Sequence, residues 1–185
     1  MTLAAETVRL FFALWPTETV RDQLALSLKD SLQQLPGHHV PAADWHITLA
    51  FLGDIPVVQV PCVEAAGAAV RAASFELQLD RWGYFRTSHV AWFGASQCPT
   101  ALSALINRLQ ASMASCDIGL DSRPFVAHLT LARKVTRRPE LDPVPAFRWS
   151  IDSIALVESA LSPTGASYRV RQSWPLQAAS TDVSG

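Results

Sequence analysis

Positions 7–15 (Thr7-Val-Arg-Leu-Phe-Phe-Ala-Leu-Trp15) are almost continuously apolar and end at Pro16. This is the pattern of a buried strand. After Thr17, a residue type that caps helices, Val20, Leu24, Leu28 and Leu32 recur at helical spacing until Pro36-Gly37, so a helix is expected there. A strand is expected over about 45–52, ending at Gly53, and an Ala-rich helix over roughly 57–73. Phe75, Leu77 and Leu79 alternate with Glu76, Gln78 and Asp80 as in a half-buried strand. The order then restarts. Val90-Ala91-Trp92-Phe93 reads as a strand, and Pro99 opens a helix with Leu102, Leu105, Ile106, Leu109 and Met113 on one face. Strands follow at about 125–132, 149–158 and 168–174. From Gln177 the chain is small and polar, the composition of a fraying tail.

Two of these strands carry the same unusual pattern. Trp45-His46-Ile47-Thr48-Leu49 returns later in the chain as Ala127-His128-Leu129-Thr130-Leu131. Alternation along a strand puts His46 and Thr48 on one face and Ile47 and Leu49 on the other, and the second copy repeats this. Sliding the chain until His46 falls on His128 also lays Val8 on Val90, Phe11 on Phe93, Ala13 on Ala95, Val20 on Leu102 and Leu24 on Ile106. The expected architecture is therefore one bilobal α+β domain over residues 1–176. Its two β-α-β-containing lobes are related by a pseudo-twofold, with antiparallel sheets facing across a central cleft, and residues 177–185 form a flexible tail.

Composition narrows the function. The chain has 185 residues, 49% of them apolar and 17% charged, with net charge −1, which suits a compact core and argues against coating nucleic acid by bulk charge. Cys62, Cys98 and Cys116 are widely spaced with no C-x-x-C pair, so reduced structural thiols are expected. The apolar run Leu10 to Trp15 lacks a signal-peptide layout, and no run has the length of a membrane span. A cytoplasmic, soluble protein is the expectation.

One H-x-T-L tetrapeptide is ordinarily a strand with a satisfied histidine; two at equivalent places in a repeat point to a site. Near neutral pH a histidine pair can hold one neutral base and one protonated acid. In-line attack at phosphorus needs both at once, and Thr48 and Thr130 could donate to the non-bridging oxygens. A metal site fits poorly. Asp44 shares the alternation of His46, but Val126 and Ala127 precede His128, and His38, His39 and His89 lie outside the repeats. No H-E-x-x-H, G-x-S-x-G, P-loop or dinucleotide motif is present. Arg133-Lys134-Val135-Thr136-Arg137-Arg138 holds four cations and no acid. Such runs are usually solvated loops, but beside a catalytic strand this one suits a polyanion. Arg133 is the candidate phosphate contact, although strict alternation would turn it away from His128 and Thr130. Phe11, Phe12, Trp15, Trp45 and Trp92 are read as core before base-stacking groups.

The paired motifs, with Arg9-Leu-Phe-Phe-Ala-Leu-Trp-Pro16, His46-Ile-Thr-Leu-Ala-Phe-Leu-Gly53 and Arg123-Pro-Phe-Val-Ala-His-Leu-Thr-Leu-Ala-Arg133, resemble the two-histidine phosphoesterases. Within them the chain is similar to the LigT-like RNA 2′,3′-cyclic phosphodiesterases, also called 2′-5′ RNA ligases. Leu156-Val-Glu-Ser159, Tyr168 and Trp174-Pro-Leu176 extend the likeness over roughly residues 8–176. The resemblance implies hydrolysis of RNA 2′,3′-cyclic phosphate ends, such as those of tRNA fragments, to 2′-phosphates. It also implies reversible 2′-5′ joining and no metal or other cofactor; a monomer with no membrane partner is expected. By position, His46 would donate the proton to the leaving 3′ oxygen and His128 would activate water, while Thr48, Thr130 and Arg133 would bind the phosphate. The near-symmetric motifs alone do not fix that order. Ala127 stands where proline is common in the family, and Trp45 where an aliphatic residue is usual. Two other readings stay open: a phosphodiesterase of small cyclic nucleotides or 2′-5′ oligonucleotides, and a non-catalytic RNA-end binding module.

Overall fold

The computed structural model describes residues 6–120, 124–162 and 165–178. Arg123 of the second motif and residues 179–185 of the expected tail lie outside the described residues. The chain is α+β, with antiparallel sheets as expected. β1 (Thr7–Leu14), β3 (Ile47–Pro56), β9 (Ser153–Ser162) and β10 (Gly165–Pro175) form one four-stranded sheet in the order β10-β9-β1-β3. β2 (His38–His39), β5 (Arg81–Phe85), β6 (Val90–Gly94) and β7 (His128–Arg133) form another in the order β2-β7-β6-β5. β4 (Phe75–Leu79) and β8 (Phe147–Ile151) make a two-stranded sheet. The helices are α1 (Glu18–Ser27), α2 (Lys29–Gln34), α3 (Val60–Ala69) and α4 (Thr100–Ala114).

The apolar runs take central places. β1 lies between β9 and β3, so Leu10 through Leu14 are buried on both faces. One continuous core joins Leu10, Phe12 and Ile47 of the first sheet with Phe93, Leu129 and Leu131 of the second, and β3 meets β7 across the middle of the molecule. Thr17 caps α1 as expected, its hydroxyl accepting from the Val20 N–H at 3.3 Å. Trp45 goes into the core and donates Nε1–H to the Val40 carbonyl at 2.9 Å; the Ala127 carbonyl accepts from the Ala95 N–H at 3.0 Å.

Several expected elements differ in extent. The single helix before Pro36 is two, divided at Leu28 (φ −100°, ψ 2°). Ser27 Oγ donates back to the Leu24 carbonyl at 2.9 Å and competes there with the helical ladder. The helix expected over 57–73 is a 3-10 turn at 57–59 followed by α3. Pro61 has no N–H to give and is tolerated only in a first turn, so the α-helix starts just before it. The strand expected at 149–158 breaks at Asp152, because β8 pairs with β4 and β9 pairs with β1 and β10. β5 had no clear alternation to announce it. Its Gly83 lies against the ring of Trp92, where a Cβ would come within 2.0 Å. Gln177 is held: its N–H donates to the Ala72 carbonyl and its carbonyl accepts from the Ser74 N–H.

The strands also correct the expected register of the repeat. α1 and α4 begin at Glu18 and Thr100, the same offset that separates His46 from His128, but the strands before them do not keep it. Thr48 pairs with Ala13, whereas Thr130 pairs with Trp92. Laying Phe11 on Phe93 is therefore three residues out of register, because the turn into α4 is longer than the turn into α1.

The expectation of three reduced thiols is overturned for two of them. α3 packs against α4, which brings Cys62 and Cys116 to a Cα–Cα distance of 6.0 Å in a disulfide across a separation of 54 residues. A long-range pairing of this kind leaves no local spacing to read. Cys98 is free and exposed. Thiol titration of the denatured, unreduced protein should count one reactive cysteine and the reduced protein three; three before reduction would eliminate the disulfide. Reduction should also lower Tm, because a cross-link over this span is worth on the order of 4 kcal/mol in the chain-entropy limit.

Candidate active site

Both motif strands bury their aliphatic residues and turn the other face to the cleft. From the histidine onward, His46-Ile-Thr-Leu-Ala-Phe51 and His128-Leu-Thr-Leu-Ala-Arg133 run through the same sequence of half-buried, buried, half-buried, buried, buried and exposed positions. The two successive buried residues mark a break in alternation. On β3, Phe12 and Ala13 pair with Ala50 and Thr48, leaving Leu49 as an extra residue. On β7, Ala91 and Trp92 pair with Ala132 and Thr130, leaving Leu131 extra. Each is a β-bulge that resets the phase of its strand. Residues three positions after each threonine therefore return to the face of the histidine. Arg133 does not point away as strict alternation requires, and Phe51 is its counterpart in the other lobe.

All five residues singled out from the sequence, His46, Thr48, His128, Thr130 and Arg133, line one cavity of about 460 Å³. The imidazoles are locked in the same way. His46 Nδ1 lies 2.6 Å from the Asp44 carbonyl and His128 Nδ1 lies 2.7 Å from the Val126 carbonyl. A carbonyl oxygen only accepts, so each Nδ1 carries the hydrogen and each Nε2 is left for chemistry. The partner is the backbone two residues earlier, which explains why Asp44 in one motif and Val126 in the other serve equally. Among the described residues no group of three or more His, Cys, Asp or Glu side chains is arranged to hold a metal ion.

The histidines differ in their neighbours. Trp15 stacks on His46 at 5.2 Å between centroids and 11° between planes. Phe11 and Tyr168 each lie 5.0 Å from the same ring. His128 meets Phe85 edge-on at 4.9 Å and Trp92 at 5.8 Å. Burial pushes the His46 pKa down to about 4; its bond to the Asp44 carbonyl opposes this, while Arg133 and His128 add to it. Burial also lowers His128, again opposed by its carbonyl bond and reinforced by Arg133. Both rings are therefore neutral at pH 7.

Phe51, Tyr168, Arg9, Phe11 and Trp15 also belong to the site, and the sequence pattern did not single them out as functional. The Arg9 guanidinium sits 4.7 Å from the centroid of the exposed Phe51 ring. Phe51 was detectable, since it follows Thr48 at the distance at which Arg133 follows Thr130. Tyr168, which comes from β10, was named only as part of the family likeness, with no role in the site. Beyond Phe51 and His128 the cleft opens into a second cavity of about 760 Å³, walled by Tyr84, Phe85, Ile106 and Phe125. Arg133 also lines a further cavity with His89, Lys134 and Ser88, and Ser88 is shared with the chamber beyond Phe51.

Comparison with known proteins agrees with this geometry. The model of the 2′-5′ RNA ligase superfamily matches residues 19–162. The RNA 2′,3′-cyclic phosphodiesterase of Escherichia coli is 30% identical over 174 residues, covering 93% of this chain and 98% of that protein. The RNA 2′,3′-cyclic phosphodiesterase of Thermus thermophilus is 31% identical over 182 residues, covering 92% and 91%. The crystal structure of E. coli LigT in apo form superposes with a TM-score of 0.82 at 28% identity, covering 94% of this chain and 99% of that one.

A proton NMR titration of the imidazole C–H signals tests the electrostatics. Both histidines should titrate below 6.5, His46 near 4, and Arg133→Ala should raise both by removing a nearby positive charge. No movement in that variant would remove Arg133 from the electrostatics of the cleft. A histidine held below its unfolded pKa lets the unfolded chain bind more protons, so its contribution to stability is complete above about pH 6.5 and declines as pH falls toward about 4. Tm should therefore rise through that window, less steeply in His46→Ala.

Proposed function

Because this chain belongs to the 2′-5′ RNA ligase superfamily and carries two locked imidazoles in one cleft, we propose that it hydrolyses RNA 2′,3′-cyclic phosphate ends to 2′-phosphates. His128 Nε2 takes a proton from water as the water oxygen bonds to phosphorus. The bond from phosphorus to O3′ breaks, and His46 Nε2–H gives its proton to that oxygen, leaving a 3′-hydroxyl and a 2′-phosphate. The hydroxyls of Thr48 and Thr130 donate to the non-bridging oxygens, and Arg133 offsets the charge that builds on them. Run with an RNA 5′-hydroxyl in place of water, the same steps form a 2′-5′ linkage. The reading extends to a monomeric, cytoplasmic enzyme whose substrates include the ends of tRNA fragments.

The observation that carries this reading is the convergence of both Nε2 positions, both threonines and Arg133 on one cavity. The assignment of acid and base rests on the resemblance and is supported by the rings around His46. A stacked indole with two further aromatics favours an imidazolium through its π faces, and His128 has fewer such neighbours. Burial opposes protonation of His46, so the anionic substrate itself must favour the charged form. Phe51, exposed at the mouth of the apolar cavity, offers a face for the terminal base.

Turnover of a short RNA ending in a 2′,3′-cyclic phosphate, measured with EDTA present, tests the proposal. The wild type should yield the 2′-phosphate. His46→Ala and His128→Ala should remain folded and lose on the order of 10² to 10⁴-fold in kcat, with the double variant little worse than either single one. Thr130→Ala should lose less. Activity that returns only with added metal, or a histidine variant near the wild-type rate, would overturn the mechanism.

A further inference from the structure

The catalytic cavity does not end at Arg133. That residue also lines a neighbouring cavity of about 450 Å³ with Ser88, His89, Lys134 and Thr136. Thr136 in turn lines a third cavity of about 340 Å³ that holds Arg137 and Arg138. Shared walls therefore link the two-histidine centre to the whole basic run through Arg133 and Thr136, whereas Phe51, Thr48 and His128 link it to the apolar chamber.

The run is built to hold its side chains outward. Val135 is fully buried. Its N–H donates to the His89 carbonyl at 3.0 Å, and its carbonyl accepts from the Tyr84 hydroxyl at 2.7 Å. His89 and Lys134 both take positive φ, at 53° and 55°, a conformation that non-glycine residues adopt only when surroundings impose it. With Val135 anchored, Arg133, Lys134, Thr136, Arg137 and Arg138 are all exposed.

Among the described residues, four cations without an ion pair stand together within six residues here, whereas Arg21, Lys29, Arg71, Arg81, Arg86 and Arg108, which also lack one, are scattered along the chain. Arg9 is paired with Asp54, Arg148 with Glu76, Arg169 with Glu158, and Arg171 with Glu64 and Glu158. Among the described residues, no carboxylate forms an ion pair with Arg133, Lys134, Arg137 or Arg138. Glu140 lines the far cavity beside Arg137 and Arg138 and marks where the strip ends. Six residues span at most about 20 Å, so the strip reaches beyond the terminal nucleotide.

We infer that Lys134, Arg137 and Arg138 form a second binding site that holds backbone phosphates of the RNA upstream of its cyclic end. This rests on the reading of the substrate as an RNA end, and makes the enzyme select for chain length. The terminal base turns toward the apolar chamber, and the anionic backbone leaves along the cations that lack protein partners. Each phosphate neutralised on a single strand adds about −0.7 to the slope of log affinity against log salt.

The test compares adenosine 2′,3′-cyclic phosphate with oligoadenylates of two to eight nucleotides carrying the same cyclic end, using wild type and Lys134→Ala/Arg137→Ala/Arg138→Ala. In the wild type, kcat/KM should rise with length. With two upstream contacts, the longest RNA should lose about sevenfold more of its kcat/KM than the mononucleotide between 50 and 200 mM salt. The triple variant should match the wild type on the mononucleotide and lose both the length effect and the extra salt slope. A length effect that survives in the triple variant, or none in the wild type, overturns the second site. Fluorescence anisotropy with the same oligoadenylates ending in a 2′-phosphate reads the site without turnover. If no cyclic phosphate is hydrolysed but longer RNA still binds more tightly through these three residues, the proposed reaction fails and the second site stands.

Discussion

The extra residue directly after the threonine in each motif strand decides what this cleft can do. A regular strand after Thr48 would send Phe51 to the opposite face, and a regular strand after Thr130 would send Arg133 there. Leu49 and Leu131 are each left over in the pairing with the neighbouring strand. The bulges let Leu49 with Ala50, and Leu131 with Ala132, stay buried in succession while the third residue returns to the cleft. Five polar groups and an exposed aromatic can then meet without taking an aliphatic residue out of the core. Bulges are recurrent devices for aiming a side chain beside a reacting centre, and here the device is used twice in the same place.

Burial sets the electrostatic problem that the substrate resolves. Removing His46 from water brings its pKa down to about 4, and Arg133 works in the same direction, so both disfavour the imidazolium that the acid role proposed for His46 requires. A phosphate anion about 5 Å from an imidazolium, at an effective dielectric constant of about 20, stabilises it by about 3 kcal/mol. That is comparable to the whole depression of His46, since a tenfold change in protonation corresponds to about 1.4 kcal/mol. The same anion also shields the ring from Arg133. Proton uptake is thus coupled to binding of the correct charge, and an uncharged ligand would leave the cleft with two bases and no acid.

Most of this was legible in the sequence because chemistry and periodicity coincided there. The histidine and threonine pairs, their burial pattern and the α1 and α4 offset followed from local rules. The helix boundaries at Leu28 and Pro61 had local causes, but the other failures share one cause, dependence on what a distant segment does. The direction of Arg133 depended on pairing with Ala91 and Trp92 in β6. The Cys62–Cys116 bond depended on α3 lying against α4, and the break at Asp152 on β8 and β9 joining different sheets. Tyr168 reaches His46 from the last strand of the fold, and no local window of sequence contains both. The slip of three residues between β1 and β6 shows the same limit. A repeat can preserve its functional strands while the turns between them drift.

Near-symmetry in the cleft is confined to the paired histidines and threonines, and direction comes from what surrounds them. The two Nδ1 locks are nearly equal, at 2.6 Å and 2.7 Å, and the motif strands share one burial pattern, so nothing in them tells one side of a phosphate from the other. The third residue after each threonine does. Phe51 opens onto an apolar chamber suited to a planar base, and Arg133 opens onto cations without carboxylate partners. The aromatic rings around His46 add a second asymmetry, because they enclose that imidazole on more sides than Phe85 and Trp92 enclose His128. A symmetric pair of histidines can serve in-line displacement in either sense. These flanking differences make one sense easier, because a nucleic acid end is itself apolar at the base and anionic along the backbone.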